Sequence, residues 1–224
     1  MIYLIANWKA QQTLSQMQEW VDTFSTLLEA DEEVSNAIAS NKLQIIVCPE
    51  YPFILAAKEM LTHSGLHIGA QNVSSKEMGK YTGEVPAEIL TDIVDYAIVG
   101  HSERRSHFHE TDEEIAQKII QCKQHSLNPV LCIRGESDNI PDGVKIIAYE
   151  PVGAIGSGQN EDANLVLEMK DKLKLSEDTI FLYGGSVSKD NIMSYANSGK
   201  IDGYLVGTAS LDASHFFALA KLLS

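Results

Sequence analysis

The stretch AYEPVGAIGSG, Ala148 to Gly158, joins the end of an apolar run to a glycine-rich loop. The run, Val144 to Tyr149, is short and continuous, which is typical of a strand covered on both faces. The carboxylate of Glu150 follows it, and then Pro151. A buried carboxylate is costly unless it has a partner or a task, and a glycine-rich loop can present N–H groups to an anion. On its own, the segment fits a catalytic strand end or an ordinary turn with a solvated glutamate.

Similar β-rich runs recur along the whole chain. Eight are predicted: Tyr3–Asn7, Gln44–Val47, Leu66–Ala70, Tyr96–Gly100, Val130–Ile133, Lys145–Tyr149, Thr179–Tyr183 and Gly203–Val206. With helical patterns between most of them and no Pro/Ser-rich linker, they predict a single α/β domain, a (β/α)8 barrel over residues 1–224. A doubly wound open sheet is the alternative, but it would more often carry a glycine-rich dinucleotide turn after its first strand.

Apolar stripes and capping signals mark the helices between these runs. Thr111 and Glu114 form a predicted capping box, and Ser188 is predicted to cap a short helix through Ile192 and Tyr195. The stripes, all assigned to core packing, are Leu14, Met17, Val21, Phe24 and Leu28; Ile115, Ile119 and Cys122; Ala163, Val166, Met169 and Leu173; and Phe216, Phe217, Ala220 and Leu223.

The fifth crossover is irregular, because only RGESDNIPDGV separates Ile133 from Lys145. Parallel strands need a crossover of roughly a dozen residues, usually helical, and the prolines, glycines and aspartates here oppose a helix. We therefore expect little or no helix between strands five and six. Either Ile140 and Val144 or a neighbouring subunit should then cover the barrel surface at this point.

Composition narrows the function classes. The 224 residues carry a formal net charge of −14, which argues against nucleic acid and anionic membranes as partners. No segment approaches the ~18–20 apolar residues that span a bilayer, and the start, MIYLIANWK, is interpreted as a first strand rather than a signal peptide. The cysteines Cys48, Cys122 and Cys132 lack metal-ligand spacing and suggest a reduced, cytoplasmic protein.

Chemistry in such a barrel lies at the carboxyl ends of the strands. The predicted strand ends carry Asn7-Trp8-Lys9, Gln71-Asn72, Gly100 to Arg105, Glu150, Gly184-Gly185-Ser186 and Gly207-Thr208. One lysine, one histidine and one glutamate therefore converge on one mouth. The glycine-rich turns after strands seven and eight can offer backbone N–H groups to a phosphate. Each residue alone has a plainer explanation as a surface charge, a structural histidine or a turn.

The motifs NWK, YTGE, GHSERR, YEPVGAIGSG and YGGSV resemble those of the triosephosphate isomerase family, and the match runs from Asn7 to Gly207. The resemblance implies interconversion of dihydroxyacetone phosphate and D-glyceraldehyde 3-phosphate in glycolysis and gluconeogenesis. It implies Glu150 as the base, His101 as a neutral electrophile, Lys9 as the cation facing the developing oxyanion, and Asn7 as its neighbouring donor. Neither metal nor cofactor is implied.

The same resemblance assigns further roles. Backbone N–H groups at Gly156, Ser186, Gly207 and Thr208 match the phosphate site. Ser102 and Glu103 match residues that support the catalytic groups. Tyr81, Thr82 and Glu84 match a loop that, in the family's dimers, enters the partner's active-site region, where Arg104 matches the arginine paired with that glutamate. A homodimer is therefore expected.

Two further departures from the family pattern concern the site. Gly153 stands in the glycine-rich loop where the family usually has tryptophan, and Thr208 stands where it usually has glycine. Because glycine adds backbone freedom, we expect a less ordered empty loop. Thr208 can still offer its N–H group.

Three functions remain in competition. The chain could be a working isomerase, a non-catalytic barrel that binds phosphate ligands or serves in assembly, or another phosphate-binding barrel enzyme. Retention of Asn7, Lys9, His101 and Glu150 favours the first over the second. The third has no reason to keep HSERR and YEPV together.

Overall fold

Eight parallel strands close into a barrel in which each strand pairs with its neighbours in chain order and β1 pairs with β8. The computed structural model describes residues 1–151 and 161–224. The strands are β1 (Ile2–Asn7), β2 (Leu43–Cys48), β3 (His67–Ala70), β4 (Tyr96–Val99), β5 (Asn128–Ile133), β6 (Ile146–Tyr149), β7 (Ile180–Tyr183) and β8 (Gly203–Val206). The predicted barrel is confirmed, with strand limits that differ from the predicted ones by at most two residues.

Helices follow most strands and cover the outside of the barrel. They are α1 (Leu14–Glu29), α2 (Glu32–Ala39), α3 (Ile54–Met60), α4 (Ala87–Leu90), α5 (Ser102–His107), α6 (Asp112–Gln124), α7 (Ala163–Leu173), α8 (Ile192–Ala196) and α9 (Ala213–Leu223), with 3-10 turns at Tyr51–Phe53 and Thr208–Ser210. The predicted capping box before α6 is present, since Thr111 Oγ1 accepts from Glu114 N at 3.2 Å and Glu114 Oε2 accepts from Thr111 N at 2.9 Å.

Strand residues alternate between two buried layers, as the period of a β-strand requires. On β1, Ile5 points into the barrel interior, which is filled by strand residues such as Ile98 and Leu182. Leu4 and Ala6 point outward into the layer that the helices cover. Both faces are therefore apolar, which explains why the sequence shows continuous apolar runs rather than alternation.

The fifth crossover contains no helix in residues 134–145, all of which are described. Ile140 packs against the outer layer and Val144 is buried in it. The outward side chains of the flanking strands, such as Leu131 and Ile147, are fully or almost fully buried. Of the two expected alternatives, Ile140 and Val144 therefore cover the barrel here, rather than a neighbouring subunit.

Two details of the predicted helices are wrong. The predicted stripe includes Leu14 on the buried face of α1, but Leu14 is 48% exposed; it is the first residue of the helix, and burial begins one turn later, at Met17. The last short helix, α8, starts at Ile192 and not directly after Ser188. Ser188 Oγ accepts from Asp190 N at 3.3 Å and so caps the turn that leads into the helix.

Other predicted packing is confirmed. Ile115, Ile119 and Cys122 are buried on α6. Val166 alone of the α7 stripe is fully buried, while its other three members are half-buried against the core. The three cysteines are free and buried. Among the described residues, no helix is long and apolar enough to cross a membrane.

Candidate active site

A cavity of about 510 Å³ opens at the carboxyl ends of the strands. It is lined by seven of the eight residues predicted to bind or transform a ligand: Asn7, Lys9, His101, Glu150, Ser186, Gly207 and Thr208. The eighth, Gly156, lies outside the described residues, as does Gly153. The barrel therefore brings together residues from β1, β4, β6, β7 and β8, although they are spread over some 200 positions.

Lys9 follows β1 in a left-handed backbone conformation, with φ of 58°. Such a conformation is unfavourable for a residue with a Cβ and persists only where the surroundings fix it. Asn7 helps to fix it, because its Oδ1 accepts from Lys9 N at 3.2 Å. The ammonium Nζ lies 2.6 Å from Glu103 Oε1, so Glu103 holds the cation at the cavity wall, as a supporting residue would.

His101 caps α5, and its ring nitrogens have different tasks. Nδ1 accepts from Glu103 N at 3.2 Å, so in the neutral ring the proton must reside on Nε2. Nε2 in turn lies 2.9 Å from Glu150 Oε1. The helix cap thus selects the tautomer that presents an N–H donor to the cavity.

The carboxylate of Glu150 is buried, with a side chain only 2% exposed. Besides the contact with His101, its Oε2 accepts from Ser102 N at 3.0 Å, so Ser102 acts through its backbone. Gly184 makes room for it, because a Cβ at this position would lie 2.9 Å from Glu150 Cγ. Glu150 is therefore a buried, paired carboxylate in the wall of the cavity.

The pKa values of two groups reflect this carboxylate. Burial on its own lowers the pKa of His101, but the charge and hydrogen bond of Glu150 outweigh burial and raise it. Burial, followed by the charge of Glu150, raises the pKa of the Cys132 thiol far above its usual range. Cys132 is therefore a neutral neighbour of the carboxylate inside the barrel.

The far side of the cavity is formed by the turns after β7 and β8. Gly184, Gly185 and Ser186 follow β7, and Gly207 and Thr208 lead into a 3-10 turn ahead of α9. Asn191 Nδ2 donates to Ser186 O at 2.9 Å and fixes the first turn. Backbone N–H groups at helix entrances favour anions, and Lys9 faces the same cavity.

Sequence reasoning missed several lining residues. Val187, Ser188 and Asn191 come from the turn before α8, and His215 comes from the first turn of α9. His215 Nε2 is buried and has no hydrogen-bond partner among the described residues. The distance of His215 from the end of β8 hid it, although a histidine in the first turn of the helix after a phosphate-type loop was a visible signal.

Two tyrosines hold the chain at Glu161, directly before α7. Tyr183 Oη accepts from Glu161 N at 3.1 Å. Tyr195 Oη donates to Glu161 O at 2.6 Å, and the two tyrosine rings stack with centroids 4.5 Å apart. Residues from β7 and α8 thus fix the point where the chain enters α7.

The residues expected at a subunit interface lie on the surface, outside the cavity. Tyr81 is 49% exposed, Thr82 is also exposed, and the carboxylate of Glu84 accepts from Ser74 Oγ. Within the chain, Arg104 Nε pairs with Glu110 Oε1 at 2.6 Å. Glu84 and Arg104 are therefore not paired with each other inside one subunit.

The chain is similar to known proteins over nearly its whole length. A family model described as triosephosphate isomerase matches residues 2–223. The curated triosephosphate isomerase of Aquifex aeolicus (strain VF5) is 33% identical over 247 residues, which cover 95% of this chain and 96% of that protein. The one from Synechococcus sp. (strain JA-3-3Ab) is 34% identical over 239 residues, with 96% and 92% covered. That of Dictyoglomus thermophilum is 32% identical over 253 residues, with 97% and 98% covered.

Proposed function

Because this chain belongs to the triosephosphate isomerase family, we propose that Glu150, His101 and Lys9 carry the interconversion of dihydroxyacetone phosphate and D-glyceraldehyde 3-phosphate. The convergence of these three side chains on one cavity carries the proposal. Glu150 acts as the base that removes a proton from the carbon beside the carbonyl and returns it to the adjacent carbon. The intermediate is an enediolate, and His101 passes the second proton from one of its oxygens to the other, so that hydroxyl and carbonyl exchange places.

Electrophilic help is needed because a C–H proton is far less acidic than a carboxylic acid. The Nε2–H of His101 and the ammonium of Lys9 provide it as donors fixed before the reaction, held by Glu103 N and Glu103 Oε1 respectively. Asn7 supports Lys9. Glu150 is released from Ser102 N and His101 when the substrate enters, which frees Nε2 for the substrate oxygen.

The phosphate group is bound by the N–H groups of Ser186, Gly207 and Thr208, together with Gly156. This arrangement also explains how a chain of net charge −14 attracts an anion. Fields of exposed charges are screened over about 8–10 Å at ordinary salt, so the short-range positive field of Lys9 and the oriented N–H groups prevails inside the cavity.

The test is a coupled enzyme assay with D-glyceraldehyde 3-phosphate on the wild-type chain and three variants, Lys9→Met, His101→Gln and Glu150→Gln. We expect wild-type turnover and losses of at least about a hundredfold in kcat/KM for each variant. Glu88→Gln, which changes an exposed carboxylate on α4, is the matched control and should keep full activity. A folded wild-type chain without turnover would favour the non-catalytic barrel.

The remaining parts of the proposal concern the whole molecule. Residues 1–224 form one domain, which works in the cytoplasm as a homodimer. The exposed side chains of Met78 and Tyr81 support the dimer, since a partner would cover apolar surface that the single chain leaves open. The buried, free cysteines agree with a reducing compartment.

A further inference from the structure

The short fifth crossover carries a buried cluster of charges that the proposed reaction does not use. Its centre is Asp138, whose side chain is 3% exposed. Arg134 Nη2 donates to Asp138 Oδ1 at 2.6 Å, and Arg134 N donates to Oδ2 at 2.7 Å. These bonds fold the loop back onto the carboxyl end of β5.

Arg105, the second arginine of HSERR, faces the same carboxylate. Its side chain is 5% exposed, and its Nε lies 4.0 Å from Asp138 Oδ2. Its Nη1 pairs with Asp112 Oδ1 at 2.7 Å, but Asp112 is 46% exposed. A buried guanidinium needs compensation by a nearby charge, and a buried partner is screened less than an exposed one.

The same Nε also donates to Gly100 O at 3.0 Å. Gly100 has a φ of +70° and directly precedes His101. Since the peptide unit is planar, the direction of the Gly100 carbonyl fixes the plane of the His101 N–H group. The hydrogen bond from Arg105 therefore fixes the backbone direction after β4 and, with it, the position of the His101 side chain.

We infer that Asp138 is a positioning residue for His101, acting through Arg105 and the Gly100 carbonyl. The inference rests on the proposed function only for its kinetic part. It also assigns a function to the helix-free crossover, because this loop places the carboxylate of Asp138 beside Arg105, which binds the turn between Gly100 and His101. We call Asp138, Arg105 and the Gly100 carbonyl the brace. Its members are buried and fixed in place, as supporting groups for a catalytic side chain should be.

The test compares Asp138→Asn and Arg105→Lys with a matched control, Glu136→Gln. Glu136 lies in the same loop, with a side chain 58% exposed. The asparagine keeps the shape but loses the charge, and the lysine keeps a charge but loses the Nε bond to Gly100. For each variant, kcat and KM are measured, together with the imidazole ¹⁵N and ¹H NMR signals of His101 and a melting curve.

We expect both brace variants to shift the His101 signals and to lower kcat about tenfold, with KM changed less than about twofold. The control should match the wild type in all readouts. Unchanged His101 signals in a folded brace variant would overturn the inference, whichever of the two variants folds. If the wild type lacks isomerase activity, the proposed function fails, and the NMR signals still decide whether the brace exists.

Discussion

Glu150 lies so close to Gly184 that a Cβ added to this glycine would be only 2.9 Å from Glu150 Cγ. Glu150 is thus positioned by contacts on several sides: Ser102 N and His101 Nε2 contact its oxygens, and Gly184, directly after β7, lies beside its Cγ. The sequence predicted that these residues share one end of the barrel. It could not predict the His101–Glu150 pair or the bond from Ser102 N, because both depend on how strand ends pack side by side rather than on any local pattern.

Gly184→Ala tests the packing around the base. The added Cβ would lie 2.9 Å from Glu150 Cγ, a distance at which one group must shift, so the carboxylate should be displaced. We expect kcat to fall about ten- to a hundredfold with the fold intact, measured by the coupled assay and by circular dichroism. Gly135→Ala, where an added Cβ meets nothing within 4 Å, is the control. Equal kcat in both variants would contradict this view of Gly184.

The pKa of His101 gives a prediction about stability. Since Glu150 raises this pKa in the folded chain, the stabilisation is present in full below the unfolded pKa and is lost as the pH rises through the folded value. The free energy of unfolding of the wild type relative to Glu150→Gln should therefore increase as the pH falls from about 8 to about 6. Urea titrations at several pH values measure the free energy of unfolding of both proteins. A difference between them that stays constant with pH would contradict the prediction.

At the scale of elements, the sequence predicted correctly those features that depend on interactions between residues close together in the chain. The capping box of Thr111 and Glu114 and the helix-free crossover were both readable from the sequence, because short-range hydrogen bonding and proline chemistry decide them. The start of α8 at Ile192 and the exposure of Leu14 were not, since both depend on tertiary packing at a helix end rather than on a local pattern. The brace around Asp138 joins β4 to the fifth crossover, and no pattern in either segment shows it.

Thr111→Ala tests the contribution of the capping box. Removal of the hydroxyl leaves Glu114 N without its acceptor at the start of α6, which should cost about 1 kcal/mol of the free energy of unfolding. Urea denaturation measures the loss. Glu114→Gln is the matched control, because glutamine can keep the reciprocal bond to Thr111 N, and its loss should be clearly smaller. A threonine variant as stable as the wild type would show that the helix start is held by tertiary packing instead.

For the whole molecule, the barrel determines the site more than any single motif does. Parallel strands in chain order bring residues 7 to 208 to one rim, and for that reason the fold and most of the cavity could be predicted together. Neither His215 nor Asn191 was predicted, because His215 reaches the cavity from the first turn of α9 and Asn191 from the turn before α8, rather than from strand ends. The exposed loop at Tyr81 bears on the proposed association of two subunits, which a single chain does not display.

The proposed homodimer predicts a sedimentation result. The wild type should sediment at about twice the mass of the chain, and Tyr81→Glu should shift it towards the monomer, because a charge buried without a partner in the interface is costly. Leu165→Glu, which places the same charge at an exposed position on α7, should leave the dimer intact. Analytical ultracentrifugation over a range of concentrations measures all three, and a monomeric wild type would refute the dimer.

The proposed function depends on one step, the transfer of a proton by Glu150 between adjacent carbons of a triose phosphate. The most direct measurement follows the wild type and Glu150→Gln by ¹H NMR, with D-glyceraldehyde 3-phosphate as substrate in D₂O. We predict that the wild type forms dihydroxyacetone phosphate, part of it labelled with deuterium at C1. Turnover in Glu150→Gln should fall by a factor on the order of a thousand or more. Turnover that survives the substitution at close to the wild-type rate would show that Glu150 is not the group that moves the proton.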